Sequence, residues 1–381
     1  MKKILILTIL IIANNLIFAQ ENPKKCLTTF IVKHELENNP EYELMRQTLI
    51  SYQKDNKDNN YKNQAEITIP VVIHIVHKIS HSLDAGTNIP NAQIEDQLRI
   101  LNEDFSKTNP EFPNPPRNTF FDDWGNPNIK FCLATTDPDG NPTTGITRTP
   151  TSKSSWNYDT ESNDMKLTSL GGIDNWDPLR YMNIWVCKLS GGGVLGYAYL
   201  PGYQGSSSNS WKDGLVVDYR YFGTIGNASS SSDGRTPTHE IGHYLGLNHT
   251  FAEYWGDGSV DNSLNPCWTG QGDNVQCCDN DEGNVNDTPP TSDVYYGSVT
   301  SATNNNTCNN DVNYGLSANL LDMDENYMSY SSSTWMFSNG QVTAMLNTLN
   351  ASAWQGGRED LWQNNTVTVD CNNIIGSSWD C

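Results

Sequence analysis

Residues 67–79 form an almost continuous apolar, β-branched run, the pattern of a strand buried on both faces. Shorter runs at 129–135, 181–189 and 214–221 read as further strands, and 191–193, all glycine, leads into a short aromatic-rich segment at 194–201. Helical spacing marks residues 91–105, where Ile94, Leu98, Leu101 and Phe105 share one side behind Pro90. The same spacing marks 35–52, through Leu36, Tyr42, Leu44, Met45 and Leu49, and 339–354, through Val342, Met345, Leu346 and Leu349. Residues 110–150 are rich in Pro and Gly and read as loop around the 129–135 strand. Residues 251–325 are nearly devoid of periodicity and too polar to bury a core of their own. No internal repeat is evident. The pattern predicts an α+β fold: a twisted mixed sheet, a backing helix, and a loop-rich C-terminal part.

Two stretches fall outside that pattern. Met1-Lys2-Lys3, an apolar run over 4–13 and Ala19 before Gln20 predict a secretory signal over 1–19, and residues 54–64 are a polar linker. No later stretch is apolar enough to cross a bilayer. A net charge of −21 argues against nucleic-acid and anionic-membrane partners and suits a soluble protein, expected to be exported by its signal and monomeric. The many Asp and Asn residues also suit calcium, above all over 279–287. Nine cysteines in an exported chain predict disulfides with one thiol left over. Cys132 and Cys187 lie in strands, Cys371 and Cys381 bracket the tail, Cys267, Cys277, Cys278 and Cys308 share the aperiodic region, and Cys26 stands alone.

The chemistry concentrates at 237–249, Pro-Thr-His-Glu-Ile-Gly-His-Tyr-Leu-Gly-Leu-Asn-His. His239 and His243 are four apart, so a helix starting near Thr236-Pro237 sets both imidazoles on one face, where they can grip one zinc ion. Glu240 stands beside the first of them, placed to act on a water. His249 reaches the same metal only if the chain turns after Leu245, and Gly246 can take the left-handed conformation that such a turn needs. Three imidazoles with an open position make a catalytic rather than a structural zinc site. His74 and His77, in the long strand, read as core or strand-end residues.

HEIGHYLGLNH followed some eighty residues later by Asn326-Tyr327-Met328-Ser329-Tyr330 resembles the metzincin clan of zincins, and more closely its pappalysin family. The likeness extends to Pro70-Val71-Val72-Ile73-His74, Leu101-Asn102-Glu103-Asp104-Phe105, Phe131-Cys132-Leu133-Ala134, the run 139–146, Leu195-Gly196-Tyr197-Ala198, Gly234-Arg235-Thr236 and Asp287-Thr288-Pro289-Pro290. It implies a zinc endopeptidase acting on proteins or peptides, with the active-site helix above the C-terminal subdomain. It also implies Met328 as the floor of the zinc site, Tyr330 as the donor to the transition state, and 194–200 as an edge strand that substrate extends. Structural calcium near Asp287 and Thr288 is implied as well. The domains are then a signal (1–19), a prosegment and linker (20–64), a catalytic domain (65–357, its first subdomain to about 249) and a tail (358–381).

Cys26 matches the cysteine that opens many family prosegments and can occupy the fourth zinc position, although Leu27 follows where Gly is usual. An unpaired or tail-paired cysteine is the alternative. Ser331 to Trp335 stand where the family carries acidic residues and a cysteine, so the family's preference for basic side chains does not carry over. A non-catalytic binding or adhesion protein on a zincin scaffold would need neither Glu240 nor Tyr330. A carbohydrate-binding module, suggested by eleven Trp and seventeen Tyr, would need a domain that the chain does not have to spare.

Overall fold

The computed structural model describes residues 25–59, 61, 64–204, 208–251, 278, 285–363 and 365–372. The signal at 1–19, the 279–284 part of the calcium run, and Cys267, Cys277 and Cys381 lie outside them.

The described elements, in chain order, are α1 (Thr28–Asn38), α2 (Pro40–Asp55), β1 (Ile67–Lys78), α3 (Asn91–Asp104), β2 (Ile129–Ala134), β3 (Ile146–Thr151), β4 (Trp156–Asn157), β5 (Met182–Cys187), β6 (Leu189–Ser190), β7 (Gly196–Ala198), β8 (Leu215–Asp218), α4 (Thr236–Tyr244), α5 (Asn339–Asn350) and β9 (Val369–Asp370). Seven strands form one mixed sheet, ordered β7-β8-β5-β1-β2-β9 with β3 also on β1, and β4 pairs with β6 apart from it. β1 is the hub, parallel to β2, β3 and β5, and its apolar run buries both faces as its composition requires. α3 packs one face of the sheet through Ile94, Leu98, Leu101 and Phe105, in a core shared with Ile241 of α4 and with Met345, Leu346 and Leu349 of α5. β7, paired only with β8 among the strands, lies at the sheet edge nearest α4.

The stretch expected to be helical over 35–52 is two helices. Pro40 has no N–H to donate into a continuing helix, and Asn39 starts the second one by accepting from Tyr42 N–H at 3.2 Å. β3 was hidden in a region that reads as loop: Ile146–Thr151 is half-exposed and contains Pro150, so its place comes from register with β1, not from its own periodicity.

Residues past 357 are tied into the fold. Arg358 is buried, forms an ion pair with Asp213 at 2.7 Å, donates to the Tyr244 carbonyl at 2.7 Å, and stacks on the Tyr244 ring 3.4 Å from its centroid. β9 adds antiparallel to β2, and Cys371 is bonded to Cys132. Cys278 is bonded to Cys308, while Cys187 is a buried thiol.

Candidate active site

α4 carries His239, Glu240 and His243, and all three are buried. Gly246 has a φ of +101°, and the turn closes with Gly246 N–H to His243 O at 2.8 Å and Leu247 N–H to Gly242 O at 2.9 Å. That reversal brings His249 back to its predecessors, with its Nε2 3.0 Å from Nε2 of His239 and 3.1 Å from Nε2 of His243.

The outer nitrogens fix the tautomers. His239 donates Nδ1–H to the Tyr327 carbonyl at 2.7 Å, and His243 donates Nδ1–H to the Leu247 carbonyl at 2.7 Å. Both inner nitrogens are therefore lone pairs pointed at a common point, and burial together with the facing imidazoles pushes His239 and His243 well below the ordinary histidine range. Lone pairs so close together repel unless a cation lies among them, so this donor set fits zinc. Among the described residues, His239, His243, His249 and Cys26 are the group able to hold a metal, with one ligand atom of each within 4.8 Å of the others.

Cys26 arrives from outside the sheet. Leu195 N–H donates to Lys25 O at 2.8 Å and Leu27 N–H to Gly196 O at 3.2 Å, so residues 25–27 lie as an added strand along β7. The edge expected to take substrate is thus covered by the chain's own N-terminal segment. Cys26 Sγ donates to Glu240 Oε2 at 3.3 Å, and the Thr28 hydroxyl donates to the same oxygen at 3.3 Å. Burial pushes the Glu240 carboxyl up to about 8, partly offset by these two bonds. Its other oxygen, Oε1, is buried with no hydrogen-bond partner. A Cβ on Gly196 would lie 3.0 Å from Glu240 Cγ, so the glycine lets the edge strand pass close to the acid.

Tyr330 accepts from Cys26 N–H at 3.2 Å and donates its hydroxyl to Cys26 O at 3.3 Å, beside the rings of His239 and His249. Its hydroxyl can therefore reach a backbone carbonyl held against β7. Met328 is fully buried beneath α4, and its Sδ would be 2.3 Å from a Cβ on Gly242. Gly242 was not singled out by sequence, although a glycine inside a helix is costly enough to signal close packing.

Asp104 was also missed as a site residue. One carboxylate oxygen accepts from the Thr238 hydroxyl on α4 and the other from the Tyr327 hydroxyl, each at 2.7 Å, so α3 fixes both the helix and the turn that orients His239. Burial pushes its carboxyl up to about 6 despite Arg235 beside it. The signal was available, since an acid three residues after Leu101 lies on the apolar side of α3.

Asp287, expected beside calcium, also has a partner in the protein. It accepts from the Ser338 hydroxyl at 2.6 Å and from Gly340 N–H at 2.7 Å, which makes it a clamp on the first turn of α5. Thr288 is buried next to it. His74 is a core residue, bonded to Thr147 and Asn183 and pushed down to about 4 by burial, and His77 lies at the strand end against Lys78 O. The Ser-rich segment walls a cavity of about 470 Å³ beside the imidazoles, with Ser331 and Ser333 turned into hydrogen bonds that hold the wall itself.

The family model described as Pregnancy-associated plasma protein-A matches residues 171–350. A promirolysin mutant from Tannerella forsythia superposes with a TM-score of 0.66 at 31% identity, over 89% of this chain and 97% of that one. Mature mirolysin from the same organism, in complex with a cleaved peptide, gives 0.61 at 34% identity, over 79% of this chain and 97% of that one. An extracellular metalloprotease of Pyricularia oryzae is 28% identical over 190 residues, which are 49% of this chain and 52% of its own, so the match spans about half of that curated relative.

Proposed function

Because the chain belongs to the pappalysin family of metalloproteases, we propose that it is a secreted zinc endopeptidase made as a zymogen. The observation that carries this reading is the convergence of three imidazoles and the Cys26 thiol beside Glu240, at a sheet edge already holding a peptide strand. His239, His243 and His249 hold the zinc, which when bound polarises the scissile carbonyl and acidifies water. Glu240 is the general base: its carboxylate, which meets the Cys26 thiol through Oε2 and leaves Oε1 without a hydrogen-bond partner, takes a proton from water and returns it to the leaving amine. Tyr330 donates its hydroxyl to the carbonyl oxygen under attack. β7 aligns substrate by backbone hydrogen bonds, which recognise any extended peptide. Met328 and Gly246 shape the site without touching substrate. Export is supported by the apolar run at 4–13 and by relatives named extracellular metalloproteases.

Residues 20–64 are the prosegment. Its support is the seat of Lys25 to Thr28 in the cleft and the larger share of the chain aligned with promirolysin than with the mature form. α2 is a second hold on the catalytic domain: Tyr42 donates to Leu200 O at 2.9 Å, Arg46 to Pro201 O at 3.3 Å and Gln53 to Thr348 at 3.0 Å. Cys26→Ala removes the sulfur that would supply the fourth zinc ligand but leaves α2 docked. The uncleaved protein is then expected to hydrolyse a small fluorogenic peptide at least about tenfold faster than wild type, the effect of losing roughly 1.4 kcal/mol of hold at the metal. Unchanged latency would show that Cys26 plays no part in silencing.

A further inference from the structure

Glu35, on α1, carries a carboxylate that the prosegment buries against the catalytic domain. It is 5% exposed, accepts from Lys212 Nζ at 2.6 Å and from Asn39 Nδ2 at 3.3 Å, and the buried hydroxyl of Tyr203, which has no other hydrogen-bond partner, faces it. These donors hold the carboxyl below the usual glutamate range even though burial opposes ionisation.

A second cation lies behind the first. Lys166 is fully buried, donates to Lys212 O at 2.5 Å, and sits over the rings of Trp185 at 5.0 Å and Tyr199 at 4.8 Å. Burial pushes it down to about 7, with Asp213 and Glu35 acting to keep its charge. Among the described residues, Lys212 forms its ion pair with Glu35, whereas Asp213 forms its own with Arg358. In a chain of net charge −21, a lysine and a hydroxyl meeting one carboxylate, with Lys166 holding the backbone of that lysine from behind, are a built receptor, and Glu35 is the part of it that the prosegment brings.

Resting on the reading of residues 20–64 as a prosegment that leaves, we propose that the surface around Lys212, Lys166 and Tyr203 is a carboxylate-binding subsite that selects an acidic side chain of the substrate. The subsite is joined to the cleft through the chain. Tyr199 and Leu200 follow β7 directly, and Ala198 N–H is held by the Thr28 hydroxyl where α1 begins. From Thr28 to Glu35 the helix rises roughly 10 Å. An extended peptide covers that distance in about three residues. Counted from Cys26 at the imidazoles, the selected acid is about four or five residues from the scissile bond.

The test uses the mature protein and a series of fluorogenic peptides in which one Glu is moved position by position along both sides of a fixed scissile bond, each with its Gln counterpart. In wild type the Glu/Gln ratio of kcat/KM is expected to rise on the order of fivefold at one position about four or five residues out, as a half-buried ion pair of ~1 kcal/mol dictates. In Lys212→Gln that ratio falls to about one while cleavage of the Gln peptides is unchanged, and Lys212→Arg restores it. A flat ratio at every position, or the same ratio in Lys212→Gln, overturns the subsite. Cleavage of the Gln peptides by wild type keeps the two readings apart: a flat Glu series then sinks the subsite alone, whereas no cleavage of any peptide sinks the endopeptidase reading with it.

Discussion

Glu240→Gln is expected to lower peptide hydrolysis by the mature protein about 10²- to 10⁴-fold, the usual worth of a positioned general base, while zinc content stays unchanged. The substitution keeps the shape of the side chain and removes its ability to take a proton. Metal binding is spared because the converging atoms are the Nε2 of His239, His243 and His249, with Glu240 beside them and not among them. Folding is spared because one oxygen of Glu240 has no partner to lose and the other meets only Cys26 and Thr28, which belong to the prosegment. Steady-state cleavage of a fluorogenic peptide alongside metal analysis checks this. Activity within tenfold of wild type would remove Glu240 from the mechanism, and lost zinc would make it a structural residue.

The largest stability effect is expected at Arg358. Arg358→Ala leaves the Asp213 carboxylate, 1% exposed, with Gln204 as its remaining donor among the described residues, and removes the donor to the Tyr244 carbonyl at the end of α4. Breaking one side of a buried ion pair costs about 3–5 kcal/mol, because the remaining charge is stranded out of water. An unfolding free energy from urea denaturation lowered by that amount is the expected result, and a loss below about 1 kcal/mol would mean that water reaches Asp213. The effect should extend to activity, since Tyr244 follows His243 directly and the guanidinium lies on its ring.

What the sequence made legible follows from how local each signal is. β1, α3 and the metal-binding turn each declare themselves within a dozen residues, by apolar run, by helical spacing and by His-Glu-Gly spacing. Met328 and Tyr330 became legible through resemblance, since nothing in a lone Met-Ser-Tyr reports what lies above it. The rest depends on partners distant in the chain. β3 is a strand because β1 offers it register, Arg358 is buried because Asp213 awaits it, and Cys371 pairs with Cys132 across 239 residues. Asp287 likewise meets distant partners, accepting from Ser338 and Gly340 at the start of α5. Cys26, like Met328 and Tyr330, was singled out through resemblance, whereas Glu35 gains meaning only once the N-terminal segment is seen lying in the cleft.

The most direct test of the central claim is cleavage of a denatured protein by the mature form, measured together with its zinc content, before and after chelation. The account predicts about one zinc per chain, cleavage that stops on chelation, and cleavage that returns with added zinc. A mature protein that holds its zinc and cleaves nothing would contradict the account and leave a binding protein on a zincin scaffold.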